Sequence, residues 1–432
     1  MGRYLAVNIW IANHYLSLDP RRGTRRHLLF AEKMADLGHR VTLVGCDQNH
    51  FRGSTILRCW EPWRRQHLAD NLEILWVNSV PYSSNSYFRF LNMFLFSIVF
   101  SVAGVVSRNS RPTVMVASSG HLFTAVAGAI IAAWHRSAFV FEIRDLWPLT
   151  PIEMGWIQKR GFVARVLYGT ELWLMHRADA VVGTFPGIVE YCLGLGLPGG
   201  KVSWIPNGVA LDEFAVLEPP RQKDRFTLCY FGSIGKPNVV DVIVDAATRI
   251  TEGERPPEVD FLIIGEGSEK THLESVVRER CLKNVSFHDE VSRAQLRQTV
   301  ENVDGFVTAI RNCPQLYRYG LSMNKLSEYM ALGRPIILAG DVPCNPVKSG
   351  RCGLVVDYED SEQMAEAALR LSRMSLDERS AMGAQGRAYA ENHLDYRLII
   401  ERYCDLVLGL LDGKTSVLQN ENANESPSRS TR

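Results

Sequence analysis

The sequence has almost no net charge and no paired cysteine motif, and both absences exclude classes of protein. Its 432 residues carry a formal net charge of +1, which argues against a nucleic-acid-binding protein that depends on bulk positive charge. The 9 cysteines are scattered from Cys46 to Cys404, with no Cys-x-x-Cys pair among them. An odd, scattered set predicts reduced and mostly buried thiols, as in a cytosolic protein, rather than a disulfide framework.

The chain also has little that resembles a secretory signal or a membrane span. Residues 1–12 contain a short apolar run with polar interruptions, and they fit a first strand better than a signal peptide. Residues 88–106 are strongly apolar, but Asn92, Ser97 and Ser101 dilute them, and their uninterrupted part is shorter than the roughly 20 residues that a span requires. We predict a buried or membrane-surface helix there, with a true span as the less favoured alternative.

Residues 60–68 are a second stretch that could contact a membrane. They combine two tryptophans with two arginines. Tryptophan beside arginine suits a lipid interface, although a plain surface helix explains the stretch equally well. Both interpretations stay open at this point.

Apolar strands alternate with amphipathic helices twice along the chain, which predicts two parallel sheets built from βαβ units. The first set of predicted strands comprises residues 4–12, 40–45, 72–78, 113–119, 138–144, 178–185 and 201–208. The second set comprises residues 226–235, 259–268, 284–289, 304–310, 335–340 and 353–358, before helices at 361–373, 376–391 and about 396–411.

The predicted fold class is therefore α/β, with two doubly wound, Rossmann-like domains that face each other across a cleft. The predicted boundaries are a first domain at 1–212, a linker at 213–225, a second domain at 226–395, a C-terminal helix at 396–412 that can return to the first domain, and a disordered tail at 413–432. In such sheets, ligands bind beyond the carboxyl ends of the strands. Functional residues are therefore expected at those strand ends.

Two glycine turns follow strands of the second domain. In YFGSIGK (230–236), Gly232 and Gly235 allow a ligand to approach the backbone, and Lys236 can contact phosphate, although a plain strand-to-helix turn is the alternative. The glycines of IIGEGSEK (263–270) lack the full spacing of a nicotinamide-binding fingerprint, so a structural turn is favoured there.

The stretch SMNKLSEYMALGRPII (322–337) predicts a helix followed by a buried strand. Ser322 or Asn324 can cap the helix, and free amides at 324–326 would then be available to a ligand. Lys325 lies at the positive end of the helix dipole, where an anion is preferred. A diphosphate would explain that lysine, with Glu328 one turn further on to accept ribose hydroxyls. A solvated Lys–Glu helix start is the alternative.

Two candidates for catalysis follow strands of the first domain. His121 lies at the end of a strand where a helix begins, a position that suits either a functional or a structural histidine. Asp145 follows the next strand and is preceded by Arg144. It can orient an acceptor hydroxyl, or it can pair with an arginine.

Taken together, these stretches resemble the family 4 glycosyltransferases of the GT-B fold, over nearly the whole chain except the tail. The resemblance rests on RRGTRRHLLFAEKMADLGHRVTLV (21–44), KVSWIPNGVALDEF (201–214), FLIIGEGSEKTHLE (261–274), NVSFHDEVSRAQL (284–296) and NKLSEYMALGRPI (324–336). FEIRDLWP (141–148) resembles the corresponding sequence in the branch of the family that acts on surface polysaccharides. The resemblance implies retaining transfer from a nucleotide-activated sugar, with no cofactor and no required metal.

By position, the resemblance also implies roles for individual residues. The donor-binding set that it implies is Gly23, Gly232, Gly235, Lys236, His288, Asn324, Lys325, Leu326 and Glu328. Within that set Glu328 binds the ribose, and His121 corresponds to a histidine near the donor sugar and acceptor. Gly320 stands where the family has the first glutamate of a Glu-x7-Glu motif. That departure points to a deoxy or N-acetylated amino sugar, or to a neighbouring residue that takes the glutamate's place.

These features predict a cytoplasmic glycosyltransferase, peripherally bound to the inner membrane, that acts in cell-surface polysaccharide biosynthesis such as that of O-antigen, capsule or exopolysaccharide. The expected donor is a UDP-sugar (a GDP-sugar is less favoured), and the expected acceptor is a lipid-diphosphate-linked saccharide; no nucleic-acid partner is expected. Two alternatives remain: a nucleotide-sugar epimerase, which would isomerise the free nucleotide sugar, and an inactive nucleotide-sugar-binding partner.

Overall fold

A computed structural model describes residues 6–18, 25–48, 55–82, 87–219, 225–252 and 259–411 of the chain. Its contacts divide the chain into two compact units. Unit 1 runs to Pro206 and includes the residues from Ile399 onward, and unit 2 comprises Asn207–Leu398. The predicted tail at 413–432 and Gly23 lie outside the described residues, as does part of the predicted linker.

The boundary between the units falls a few residues before the predicted end of the first domain at 212. The reason is packing: the apolar side chains that follow Pro206 enter the core of unit 2, namely Val209, Leu211, Phe214 and Leu217. A polar, proline-containing composition predicted a linker from 213, but Phe214 and Leu217 are buried. Local composition does not report this burial, because the partners are remote in sequence.

Unit 1 is built on an eight-stranded sheet. Its strands are β1 (Asn8–Ala12), β2 (Arg40–Cys46), β3 (Trp63–Ala69), β4 (Leu72–Val77), β5 (Val114–Ser119), β6 (Ala138–Ile143), β7 (Ala180–Gly183) and β8 (Val202–Trp204). Their order across the sheet is β3-β4-β2-β1-β5-β6-β7-β8, and all pairs are parallel except β3 with β4. The strands β5 and β6 are almost wholly buried and mostly apolar, as expected when helices cover both faces.

The helices of unit 1 lie on both faces of this sheet. They are α1 (Arg26–Asp36), α2 (Tyr87–Val106), α3 (Leu122–His135), α4 (Leu149–Glu153), α5 (Phe162–Arg177) and α6 (Ile188–Gly194). The connection through α1 runs toward the β3 edge, whereas those through α2, α3 and α5 run toward the β8 edge. Because parallel crossovers are right-handed, the second group covers the face opposite α1. In that layer, α3 contacts both α2 and α5.

Residues 60–68 do not form the surface helix that was one of the two interpretations. Most of them belong to β3, which pairs antiparallel with β4 and joins the sheet at its edge. The arginines are engaged there, since Arg64 forms an ion pair with Glu61, and Arg65 with Glu73. The strand was missed because WRRQHLA has no apolar alternation, and edge pairing with β4 supplies its stability instead.

Unit 2 contains a six-stranded, wholly parallel sheet in the order β11-β10-β9-β12-β13-β14. The strands are β9 (Phe226–Phe231), β10 (Val259–Ile264), β11 (Val285–His288), β12 (Gly305–Ala309), β13 (Ile336–Ala339) and β14 (Gly353–Val356). The helices are α7 (Asp241–Glu252), α8 (Lys270–Glu279), α9 (Arg293–Thr299), α10 (Pro314–Tyr317), α11 (Asn324–Leu332), α12 (Pro346–Ser349), α13 (Ser361–Arg373) and α14 (Leu376–Tyr389). The strand order reverses between β9 and β12, the position where such sheets bind ligands.

The last helix, α15 (Tyr396–Gly409), begins in unit 2, but from Ile399 onward it belongs to unit 1. Tyr403 stacks on Phe30 of α1 with ring centroids 4.0 Å apart. This contact places α15 on the α1 face of the unit 1 sheet, away from the layer formed by α2, α3 and α5.

Candidate functional site

The two glycine turns of unit 2 pack against each other through their backbones. The amide of Gly232 donates to the Ile264 carbonyl at 3.0 Å, and the amide of Ile234 donates to Glu266 at 2.8 Å. A Cβ at Gly265, where φ is +152°, would overlap the carbonyl oxygen of Gly232. Glycine in residues 263–270 is therefore required by loop packing, in agreement with the structural interpretation of that turn.

Gly232 has a different neighbour, the side chain of Lys325. Its φ is +148°, and a Cβ there would lie 3.2 Å from Lys325 Cε and 3.3 Å from Nζ. Gly235 is more open, since the nearest side-chain atom is the hydroxyl oxygen of Ser233 at 3.6 Å. The absence of a side chain at 232 thus leaves room for the lysine to pass beside β9.

The ammonium of Lys325 is held by two neutral partners. Its Nζ donates to Tyr230 Oη at 2.7 Å and to Asn238 Oδ1 at 2.8 Å, and it lies 4.5 Å from the centroid of the Tyr230 ring. Burial lowers the pKa of Lys325 to about 7, and the nearby charge of Glu328 opposes this only in part. The lysine therefore titrates near neutrality, where a bound anion would favour its charged form.

The helix α11 begins at Asn324, as the sequence predicts, but its cap differs from the predicted one. The N-cap residue is Met323, which makes no side-chain capping bond, so neither Ser322 nor Asn324 caps the helix. Ser322 instead accepts a hydrogen bond from the Asn207 amide at 3.2 Å. The Leu326 amide is not free, because it donates to the Met323 carbonyl at 3.2 Å. Of the predicted amides, those of Asn324 and Lys325 remain the candidates for a ligand.

The other predicted donor-binding residues lie near this helix start or at the same edge of the sheet. Glu328 is partly buried one turn along α11. Lys236 is exposed, two residues before the Asn238 that contacts Lys325. His288 ends β11 with an exposed side chain, and its carbonyl accepts from the Gly265 amide at 3.1 Å. The structure thus brings Lys325, Gly232 and the Lys236 turn together.

Gly320 is in a conformation that explains the residue type. Its φ is +94°, which glycine adopts freely and a glutamate only with strain. Its amide donates to the Tyr317 carbonyl at 2.9 Å, which closes a turn after α10. The glycine that replaces the first glutamate of the Glu-x7-Glu pattern is therefore the residue type that this turn favours, which the sequence alone did not show.

In unit 1, the strand order reverses between β1 and β5, and a histidine stands two residues after the end of each of these strands. His14 follows β1, and His121 caps the start of α3. Their rings lie 4.8 Å apart, and His14 Nε2 is 2.7 Å from Asn92 Oδ1. Both histidines are fully buried. Burial, with His14 and then Arg89, lowers the pKa of His121 well below its usual value, so the imidazole is neutral at physiological pH.

Asp145 and two residues that the sequence did not single out complete this cluster. Arg89 Nη2 donates to Tyr15 Oη at 2.9 Å, and the Tyr15 ring lies 6.2 Å from that of His121. Surrounding protein atoms raise the pKa of Asp145, and the charges of Arg144 and Arg89 oppose this. The side chain of Asp145 is exposed to solvent, which limits the rise in its pKa. No sequence signal pointed to Tyr15 or Arg89, because their proximity to His121 comes from tertiary packing.

A buried ion cluster holds the start of α1 against the sheet. Arg26 Nε donates to Glu142 at 2.7 Å, and His27 Nε2 lies 2.5 Å from the other carboxylate oxygen. Although burial alone would raise the pKa of Glu142, His27 and Arg26 hold it well below the usual range. Arg26 also donates to the Ile205 carbonyl at 2.9 Å. A glutamate within an apolar strand was the available signal for this cluster.

Comparison with known proteins identifies the family. The family described as "Glycosyl transferase 4-like domain" matches residues 23–208, and that described as "Glycosyl transferases group 1" matches residues 225–374. A protein of Escherichia coli (strain K12) named as a colanic acid biosynthesis glycosyl transferase, WcaI, is 22% identical over 220 residues. The match covers 48% of this chain and 53% of that protein, so it spans about half the length of the relative.

Solved structures agree on the fold. Sucrose-phosphate synthase from Thermosynechococcus elongatus superposes with a TM-score of 0.72 at 15% identity, covering 94% of this chain and all of that one (100%). Anabaena HepE in complex with UDP and glucose superposes with a TM-score of 0.64 at 13% identity, covering 92% and 98%. The two family matches cover most of the chain, one in each unit. The chain therefore belongs to the family 4 glycosyltransferases, and its two Rossmann-like units have the predicted GT-B fold.

Proposed function

We propose that the protein is a retaining glycosyltransferase that moves a sugar from a UDP-sugar to a lipid-diphosphate-linked saccharide in cell-surface polysaccharide biosynthesis. The observation that carries this proposal is Lys325, placed at the start of α11 with its ammonium on uncharged partners. A cation at the positive end of a helix dipole is unfavourable until an anion binds there. A diphosphate is an anion of suitable charge and size.

The chemistry follows from this positive charge. The acceptor hydroxyl oxygen bonds to the anomeric carbon from the face that the diphosphate leaves, the bond from that carbon to the diphosphate breaks, and UDP leaves with the bonding electrons. The hydroxyl proton passes to an oxygen of the departing diphosphate. Charge that develops on the diphosphate is stabilised by Lys325, by the first amides of α11 and by Lys236. Glu328 accepts hydrogen bonds from the ribose. No resident metal is assigned to this reaction.

On the acceptor side, we assign roles to the cluster in unit 1. His121 is neutral and acts as a hydrogen-bonding group beside the reacting sugar, and Asp145 orients the acceptor hydroxyl. Arg89 is the cation nearest these groups on α2 and is suited to the acceptor diphosphate. Residue 320 is glycine and so supplies no carboxylate, which supports a deoxy or N-acetylated amino sugar as donor, or a neighbouring residue in the glutamate's place.

The proposed acceptor also determines where the enzyme must work. A lipid-linked acceptor requires the enzyme to work at a bilayer, and we place it as a peripheral protein on the cytoplasmic face of the inner membrane. Among the described residues, one helix, α2, is long and apolar enough to cross a bilayer, and 39% of its most apolar window is buried against the protein.

A thermal-shift panel of nucleotide sugars tests the donor assignment. At a hundredfold excess over Kd, a ligand that binds only the folded state adds about 2.7 kcal/mol, or roughly 5–10 °C for a unit of this size. UDP and one UDP-sugar should raise the Tm of the wild type, and Lys325→Ala and Glu328→Ala should each remove most of that rise. Lys283→Ala, an exposed lysine elsewhere in unit 2, is the matched control.

Product analysis then separates the alternatives. A transferase releases UDP and leaves the sugar bonded to the acceptor, whereas an epimerase returns an isomerised nucleotide sugar. Donor binding with no turnover against any acceptor extract would support the inactive binding partner. A double variant of Lys325→Ala and Glu328→Ala with full turnover on a verified donor would overturn the site assignment.

A further inference from the structure

The helix layer formed by α2, α3 and α5 presents an unusually apolar outer surface. Exposed large apolar side chains lie on all three helices and on the loop before α5: Tyr87, Phe88, Phe90, Phe94, Ile98, Val102, Val106, Ile130, Trp134, Trp156, Phe162, Val163, Val166, Tyr168, Leu172 and Trp173. Those of α2 from Phe90 to Val106 recur every four residues and form one stripe. We call this set of side chains the apolar layer surface.

The inner faces of the same helices are packed, so these are surface helices with two apolar sides. In α2, Phe96 and Phe100 are fully buried, and a Cβ at Gly104 would overlap the Ile131 side chain of α3. Phe123 of α3 lies against Phe90, with centroids 5.2 Å apart. Because α2 is anchored along its length, its exposed stripe calls for a second apolar environment that the described residues of unit 1 do not supply.

The exposed charges on and around this surface are mostly positive. Within the three helices the only carboxylate is Glu171, which is buried and accepts a hydrogen bond from Tyr191 at 2.8 Å. The exposed ionised side chains on and beside the surface are mostly basic: Arg136, Lys159, Arg160, Arg165 and Arg177. Two carboxylates lie nearby, half-buried Glu153, whose charge acts on Tyr168, and Asp179, which accepts a hydrogen bond from the Phe139 amide at 2.7 Å. Tryptophans beside basic residues are typical of protein surfaces that rest in the headgroup region of a bilayer.

We propose that the apolar layer surface is the face by which the protein docks on an anionic lipid bilayer, with α2, α3 and α5 lying flat on it. This proposal deepens the proposed function, on which it rests, because it names the surface that delivers the enzyme to a lipid-linked acceptor. The first turn of α2 carries Arg89, which bonds Tyr15 beside His121. A headgroup at that end of the surface therefore lies next to the acceptor cluster of unit 1.

Of the two stretches considered for lipid contact, residues 60–68 and 88–106, only the second lies on the apolar layer surface. Residues 60–68 form β3 and its preceding turn, and their arginines are paired with glutamates. Trp60 is 71% exposed and Trp134 is 63% exposed, yet only Trp134 lies on the apolar layer surface. This pair provides a matched comparison of two exposed tryptophans.

Sedimentation of the full-length chain with vesicles tests the proposal. Vesicles of phosphatidylethanolamine and phosphatidylglycerol (3:1) should bind the wild type at low salt and release part of it in high salt, and vesicles of phosphatidylcholine should bind it weakly. Trp134→Glu and Trp173→Glu should each weaken binding by roughly tenfold or more, since each removes a large apolar side chain and adds a negative charge. Trp60→Glu should stay within about twofold of wild type.

Equal loss in Trp60→Glu and Trp134→Glu, or equal binding to both kinds of vesicle, would overturn the assignment. So would a wild-type dimer that Trp134→Glu converts to a monomer without any change in vesicle binding, because the surface would then be covered by a second copy. The UDP-induced thermal shift of each variant is recorded in parallel. If the protein binds vesicles but UDP raises the Tm of neither the wild type nor any variant, the proposed function is refuted and the docking surface is still supported.

Discussion

Lys325 makes ligand binding to unit 2 dependent on pH in a predictable direction. Burial lowers the pKa of its ammonium to about 7. A diphosphate beside it would favour the charged form and raise that pKa in the complex. At pH values above 7, binding must therefore take up a proton, and the affinity should fall as pH rises. Below pH 7 the lysine is already charged, and this dependence should vanish.

The magnitude follows from proton linkage. If the complex restores an ordinary lysine pKa, affinity should approach a fall of about tenfold per pH unit well above pH 7. Because the lysine is half charged at pH 7 itself, the fall between pH 7 and 9 is about 50-fold, or about 2.3 kcal/mol. Isothermal titration calorimetry with UDP measures this directly. Repeating the titration in buffers of different ionisation enthalpy counts the protons taken up. The second ionisation of the terminal phosphate, near pH 6, is complete enough above pH 7 not to mimic the trend.

Lys325→Arg is the control, because a guanidinium stays charged over this whole range. Its affinity for UDP should be nearly constant from pH 7 to 9, even if it is weaker than wild type at pH 7. A wild-type Kd that does not change between pH 7 and 9, with no proton uptake, would refute the reasoning. Persistence of the same slope in Lys325→Arg would assign it to a different group.

Three further predictions concern packing and buried charge. Glu142→Gln should leave the charge of Arg26 buried without its carboxylate and cost about 3–5 kcal/mol in unfolding free energy; an unchanged thermal transition would contradict this. Gly265→Ala should cost roughly 1–3 kcal/mol and weaken UDP binding, because its Cβ overlaps Gly232; native-like values in both assays would show that the turn relaxes. Burial raises the pKa of Glu171 to about 8, so denaturant-measured stability should fall as pH rises from about 4.3, where the unfolded carboxyl ionises, to about 8, and Glu171→Gln should remove that fall.

The sequence predicted regular elements well where their signals are local. Helix α13 was predicted at 361–373 and begins and ends there, because Asp360 caps it and the apolar periodicity is unbroken. The strands of unit 2 were located with ends one to four residues too long, and the largest errors come from the glycine turns after β9 and β10, which were counted as part of the strands. In contrast, β3 was missed, because its edge pairing with β4 is a long-range property that WRRQHLA does not announce.

In the candidate site, too, features set by local sequence were predicted, and those set by long-range packing were not. The start of α11 and the position of Lys325 were accessible from the sequence, because helix boundaries and dipole preferences are local. Its partners Tyr230 and Asn238 are 95 and 87 residues away, and only the packing of β9 against α11 brings them together. For His121, the strand-end position was predicted, but its complete burial was not, since that depends on residues from separate segments such as His14.

Gly232 and Lys325 are best understood together, because the glycine leaves the space that the lysine side chain occupies. A lysine at a helix start costs stability through the dipole, and burial beside Tyr230 adds to that cost, yet no carboxylate is among the hydrogen-bond partners of its Nζ in the described structure. A structural lysine would be better placed at the other end of α11. The glycine costs stability as well, because it orders a flexible backbone to leave space for that side chain. These two local costs meet at the carboxyl end of the β9 strand, and the proposed diphosphate would offset both, because its negative charge would stabilise the charged lysine in that place.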